Sequence, residues 1–113
     1  MNRVFYDTSR PGVVAVVLEG EHELYGALKL REFLESSIDD AVAIVIDLTR
    51  AEFIDSSVVG VLLDASKLAT KRGVEYSIVV GESTGEPVRR MFEVTGLTRL
   101  LPLVEARHAS RGA

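Results

Sequence analysis

The chain has 113 residues, of which 47% are apolar, so we expect one folded domain built around a single hydrophobic core. The absence of cysteine excludes disulfides and thiolate ligands, and His22 and His108 lie too far apart in sequence to suggest a zinc site, so we expect no metal or other cofactor. The net charge of −4 and the scattered basic residues disfavour direct binding to nucleic acid.

No apolar run approaches the roughly 20 residues that span a bilayer, and the first residues lack the apolar region of a signal peptide. We therefore expect a cytoplasmic protein that does not insert into membranes.

The first half of the chain predicts two strands, a helix and a third strand. Residues 4–6 and 13–18 are short, apolar and separated by a Pro-Gly turn signal, which indicates an antiparallel strand pair. Residues 24–38 place Leu24, Leu28 and other apolar residues at helical spacing. Residues 42–46 are apolar on both faces, as is typical of a central parallel strand.

The second half predicts a loop over residues 49–54, then a helix whose apolar stripe begins at Val58 and which ends at Gly73. A strand over 76–80, a helix that begins near Pro87 and a last strand over 100–104 follow. The element order is ββαβαβαβ, which predicts an α/β fold with a mixed four- to five-stranded sheet and helices packed on it. We expect the domain to cover residues 1–104 and residues 105–113 to form a short, frayed tail.

The tripeptide Asp55-Ser56-Ser57 stands at the start of the second helix. If Asp55 is the N-cap, its carboxylate accepts a backbone N–H from Ser57 or Val58, and the hydroxyl of Ser56 is left in solvent at the positive end of the helix. A phosphate would be tolerated there. The plainer interpretation is that Asp-Ser-Ser is simply a favourable way to begin a helix.

Two catalytic interpretations of this tripeptide fit the sequence poorly. Ser56 lacks the G-x-S-x-G surroundings of a nucleophilic serine, and nothing places a histidine beside it as a base. If Asp55 were a phosphoacceptor of the response-regulator type, the chemistry would need a lysine near the end of the chain. No lysine follows Lys71. We therefore expect a protein that binds another protein and is not an enzyme.

Four stretches give the chain a resemblance to STAS domains, and among them to the anti-sigma factor antagonists of bacteria. They are residues 18–23, residues 46–49 leading into 53–57, Gly73, and residues 88–97. The resemblance covers nearly the whole chain and implies the STAS fold.

The resemblance also implies a partner switch that regulates transcription. In antagonists of this type the serine that corresponds to Ser56 is phosphorylated by an anti-sigma factor that is also a serine kinase. The unphosphorylated domain binds that kinase and frees the sigma factor, and a phosphatase resets the switch. Asp55 and Ser57 would shape the site, and Glu23 lies where the family usually has an aspartate.

The sequence departs from the family pattern at Val58, where Asp-Ser-Ser is normally followed by glycine. A glycine lets a partner's backbone come close, and valine would place a branched side chain beside the acceptor. We predict that Val58 borders the partner interface together with Glu21, His22 and Glu23, with His22 a solvated loop residue.

Other interpretations stay open at this point. They are a STAS scaffold or transporter-associated subunit that is not phosphorylated and, more distantly, a small-ligand-binding domain or a hydrolase.

Overall fold

Six strands and three α-helices follow one another in a computed structural model that describes residues 2–106. Residues 38–40 and 97–99 each form one 3₁₀ turn. His108 lies outside the described residues. The elements are β1 (Arg3–Asp7), β2 (Val13–His22), α1 (Leu24–Ser37), β3 (Ala43–Asp47), β4 (Ala51–Ile54), α2 (Ser56–Arg72), β5 (Glu75–Val80), α3 (Glu86–Val94) and β6 (Leu103–Glu105).

The strands form one mixed sheet in the order β1-β2-β3-β5-β6, and β4 pairs with β2 beside this path. β1 is antiparallel to β2, with Phe5 opposite Val17, and the other pairs are parallel. The predicted α/β class, with an N-terminal antiparallel pair and parallel strands after it, is confirmed.

The predicted loop over residues 49–54 contains a strand, β4, which was missed. β2 runs to His22, further than the sequence pattern indicated, and its pairing with β3 ends at Val17. The free end of β2 pairs with β4, with Gly20 opposite Ala51 and His22 opposite Ile54. The order is therefore ββαββαβαβ, and the sheet has six strands.

All three helices cover the same face of the sheet. Strands β2, β3, β5 and β6 are parallel and follow one another across the sheet in a single direction. Because crossovers between parallel strands are right-handed, every connecting helix then lies on the same side of the sheet. Burial follows this arrangement, because alternate strand residues are fully buried under the helices while their neighbours are only half-buried. The most deeply buried strand residues include Val16, Leu18, Ile44, Ile46 and Ile78.

The C-terminal segment differs in part from the prediction. The strand predicted over 100–104 forms only at Leu103–Glu105, after a 3₁₀ turn. Glu105, the first residue of the predicted tail, is the last residue of β6, and Ala106 N after it donates to Val80 O at 2.7 Å. No helix among the described residues is long and apolar enough to cross a bilayer.

Candidate functional site

Two helix N-termini lie side by side at the end of the β2–β4 pair. β2 leads directly into α1, and β4 leads directly into α2. Because His22 is opposite Ile54 in a parallel register, the next residues, Glu23 and Asp55, are also neighbours. Asp55 N donates to His22 O at 3.2 Å and fixes this junction. The predicted site residues Glu21–Glu23 and 55–57 are therefore brought together by β4.

Asp55 caps α2 with one carboxylate oxygen. Its Oδ1 accepts the backbone N–H of Ser57 at 3.0 Å and of Val58 at 3.1 Å, as the N-cap interpretation predicts. Burial tends to raise the pKa of Asp55, but these bonds and the hydroxyl of Ser57 outweigh that effect and lower it. The capping carboxylate is thus held in its charged form.

The two serines of the tripeptide have different surroundings. Ser57 is half-buried, and its hydroxyl donates to Asp55 Oδ1 at 2.5 Å. Ser56 is exposed and is the first residue of α2. No described residue forms a hydrogen bond with the Ser56 hydroxyl, which therefore faces solvent at the positive end of the helix. Of the two hydroxyls, only that of Ser56 forms no hydrogen bond with a described residue.

Val58 lies in the core, with 1% of its surface exposed, and not beside the acceptor at the surface. Two residues along a helix correspond to a rotation of about 200°, so Ser56 faces outward and Val58 faces the sheet. The predicted contact of Val58 with a partner is therefore wrong for this structure. Val58 also does not obstruct the Ser56 hydroxyl.

His22 is buried, and the expectation of a solvated loop residue is wrong. It is the last residue of β2 and lies on the same side of that strand as the buried Val16 and Leu18. A ring nitrogen, Nε2, is 2.8 Å from Glu19 O, so the imidazole is part of the local fold and does not belong to the surface. Continuing the alternation of β2 to residue 22 would have revealed this.

Glu21 and Glu23 are exposed, at the end of β2 and at the residue that follows it. Glu23 occupies the N-cap position of α1, but its side chain accepts no capping hydrogen bond. Its carboxylate is thus not engaged by its own helix. Tyr25, the second residue of α1, is 73% exposed.

Leu24 and Leu28 were expected in the buried stripe of α1, but they are 59% and 54% exposed. The face of α1 that packs on the sheet is instead formed by Ala27, Leu30 and Leu34. The stripe predicted from the sequence was therefore too wide. Two exposed leucines one turn apart at the N-terminal end of α1 are a feature that the sequence did not reveal.

Comparison with known proteins identifies the class to which this fold and site belong. The sequence model of the STAS domain matches residues 7–110. This chain therefore belongs to the STAS domain family, as the resemblance implied.

Curated relatives are anti-sigma factor antagonists. The chain is 29% identical over 96 residues to the anti-sigma F factor antagonist of Paenibacillus polymyxa, covering 83% of this chain and 80% of the relative. It is 31% identical over 91 residues to the anti-sigma-B factor antagonist of Listeria monocytogenes, covering 80% and 77% of the two chains.

Solved structures agree on the fold. The antagonist SpoIIAA in its unphosphorylated form superimposes with a TM-score of 0.81 over 96% of this chain and 92% of its own, at 19% identity. An anti-sigma factor antagonist from Mycobacterium paratuberculosis gives a TM-score of 0.75 at 26% identity, covering 91% of this chain and 85% of its own.

Proposed function

We propose that this protein is an anti-sigma factor antagonist whose binding is switched off by phosphorylation of Ser56. The observation that carries the proposal is the free, exposed hydroxyl of Ser56 at the first residue of α2. The names of the curated relatives support the same function. The protein would act in the cytoplasm by exchanging partners and would catalyse no reaction itself.

The acceptor group is well prepared for transfer of a phosphoryl group from ATP bound to the partner. The hydroxyl oxygen of Ser56 attacks the γ-phosphorus, the hydroxyl proton is released, and ADP leaves. The positive end of α2 stabilises the negative charge that collects on the new phosphate. The hydroxyl of Ser57 donates to Asp55 Oδ1 and is half-buried, whereas that of Ser56 is exposed, which supports Ser56 as the acceptor.

Phosphorylation would release the partner because it adds charge within the contact surface. A phosphoserine carries about −1.5 to −2 charges, and it would lie beside the carboxylates of Asp55 and Glu23. An unpaired charge in an interface costs about 2–5 kcal/mol. That corresponds to a loss of about 30- to several-thousand-fold in affinity. A phosphatase that removes the phosphate restores binding.

The test combines phosphorylation and binding. The chain is incubated with ATP and each anti-sigma factor kinase encoded in the same genome, purified individually, and the products are analysed by mass spectrometry. We expect one phosphate on Ser56, lost in Ser56→Ala and retained in the matched control Ser57→Ala. In binding assays, Ser56→Ala should retain affinity and Ser56→Asp should lose it by the factor given above.

Two results would count against the switch. If Ser56→Asp binds as tightly as wild type, charge at this position does not control the partner. Tight binding without any phosphorylation would indicate instead a STAS scaffold or transporter-associated subunit that is not phosphorylated.

A further inference from the structure

Strand β1 is an open edge of the sheet. It pairs with β2 on one side, and no other strand within residues 2–106 pairs with it. An edge strand carries backbone N–H and C=O groups that point outward without a partner, and many proteins protect such an edge with a proline or a bulge. β1 contains no proline, its pairing with β2 has no bulge from Arg3 to Asp7, and all five of its residues are exposed. The outer side of β1 is therefore accessible to another strand.

The three central residues of β1 are apolar or aromatic and only partly covered. Val4, Phe5 and Tyr6 are 39%, 40% and 46% exposed. Tyr6 contacts the helical layer, where the centroids of its ring and of the Phe33 ring in α1 are 4.0 Å apart. Phe5 lies on the opposite face of the sheet, because successive side chains of a strand alternate. A second strand beside β1 would cover apolar surface on both faces.

The two ends of β1 carry opposite charges on the same face as Phe5. Arg3 and Asp7 are two residues before and after Phe5, so the three side chains share the face without a helix. The guanidinium carbon of Arg3 is 4.7 Å from the centroid of the Phe5 ring, which holds the cation over the strand. Asp7 Oδ1 accepts the hydroxyl of Ser9 at 2.7 Å and its backbone N–H at 2.9 Å, and these bonds lower the pKa of Asp7. Asp7 is therefore charged at neutral pH, as arginine always is.

We propose that β1 pairs antiparallel with β1 of a second copy of this chain, so that the two sheets join across a two-fold axis at Phe5. In this register, residues equally far from Phe5 on its two sides face each other. Phe5 lies opposite its own copy. Val4 lies opposite the second copy's Tyr6. Arg3 lies opposite the second copy's Asp7. Aromatic pairs, pairs of an aromatic with a β-branched residue and pairs of opposite charge all stabilise neighbouring strands, so β1 is complementary to itself.

Charge and length select this register and a second copy as the partner. Every other antiparallel register of two β1 strands overlaps fewer than five residues and separates Arg3 from Asp7. Two-fold symmetry repeats each pair, so the interface contains the Arg3–Asp7 pair twice. Within its own chain, Arg3 lies opposite Glu19 of β2, whose carboxylate is also 3.8 Å from Arg50. The second copy's Asp7 would stand on the other side of Arg3.

The expected dimer is weak and independent of the proposed function. Five paired residues on each chain form a small interface, so we expect association only at high protein concentration. The pairing needs neither a phosphate nor an anti-sigma factor. Ser56→Asp should therefore associate as wild type does.

The test is sedimentation equilibrium of the purified full-length chain over a concentration series. The mass of wild type should rise toward that of two chains. Arg3→Asp and Asp7→Arg each place like charges opposite one another at both ends of the strand pair, and each alone should weaken association by about tenfold or more. In an equimolar mixture of the two variants, every charged pair across the interface is again of opposite sign. The mixture should therefore regain the association of wild type.

The matched control is Arg90→Asp, which makes the same charge reversal at an exposed residue of α3 and should not change association. Circular dichroism melting curves show whether each variant is folded. Asp7→Arg also removes the acceptor of the Ser9 hydrogen bonds, so Asp7→Asn, which keeps an acceptor oxygen, is a second variant. If Asp7→Arg does not fold, Arg3→Asp and Asp7→Asn decide the outcome, and both must weaken association.

Three results would overturn the pairing. Wild type could stay monomeric at every concentration. The folded charge-reversal variants could associate as strongly as wild type, or their mixture could associate no better than either variant alone. Each would show that β1 does not pair with its own copy in this register.

Discussion

Within Asp55-Ser56-Ser57-Val58, helical geometry gives each residue a different task. Asp55 closes the helix, Ser57 supports the cap through its hydroxyl, Val58 enters the core, and Ser56 is left in solvent. These tasks follow from a rotation of about 100° per residue at a capped N-terminus. The hydroxyl of Ser56 is left free because Asp55 accepts the capping hydrogen bonds from Ser57 and Val58 without it.

The buried position of Val58 leads to a prediction about stability. Val58→Gly should destabilise the protein by about 3 kcal/mol, because it removes a buried valine side chain and places glycine inside a helix. Urea denaturation followed by circular dichroism measures this change. The matched control is Val94→Gly in α3, whose valine is 78% exposed and whose loss should cost less than about 1 kcal/mol. Equal losses in the two variants would contradict the buried placement of Val58.

Among the secondary-structure elements, β4 connects the site to the rest of the fold. It pairs with the end of β2 and so sets Asp55 beside Glu23. On its other side it contacts the start of α3, where Gly85 N donates to Ala51 O at 2.8 Å. β4 is therefore held between the end of β2, which carries Glu21 and His22, and the start of α3.

Gly85 provides the test of this connection. A Cβ atom at Gly85 would lie 2.5 Å from Glu52 O, closer than atoms can approach, so Gly85→Ala must displace β4 or α3. We expect a loss of about 2 kcal/mol, typical of overpacking, and shifted amide resonances at residues 51–56 in NMR spectra. Gly60→Ala is the matched comparison, since the same change there meets no atom. Unchanged stability in Gly85→Ala would mean that β4 is not held against α3.

In the molecule as a whole, the helices occupy one face of the sheet and leave the other without a helix. Successive crossovers in one direction produce this arrangement. Tyr76 of β5 joins the two layers, because its hydroxyl donates to Leu62 O of α2 at 3.0 Å.

Tyr76 predicts how stability changes at high pH. Burial raises the pKa of Tyr76 above its ordinary value, so the folded protein keeps this hydroxyl protonated when the unfolded chain has lost the proton. The stabilisation that the buried hydroxyl of Tyr76 gives the folded protein is fully present below about pH 10, the ordinary tyrosine pKa. This stabilisation falls as the pH rises further. Tyr76→Phe should cost about 1 kcal/mol at neutral pH, and the difference from wild type should shrink above pH 10. Thermal unfolding across this pH range measures both effects; a constant difference would show that the hydroxyl is not buried in the folded state.

The sequence by itself determined the features that depend on neighbours in the chain. The α/β class, the N-terminal strand pair, the cap at Asp55 and the outward position of Ser56 each follow from residues within a turn or a strand. The helical period even placed Val58 in the buried stripe, and only the family resemblance suggested a surface role for it. Motif order was specific enough to identify the STAS family.

Only the tertiary structure decided which surfaces stay open. β4 forms because the far end of β2 has no other partner, and that depends on where β3 stops. Leu24 and Leu28 are exposed because of how α1 sits against the sheet and α2, which no local pattern encodes, whereas the burial of His22 follows the alternation of β2 once that strand is known to extend to residue 22. Hydrophobic burial is set by every element that packs on a side chain, so residues distant in sequence decide it.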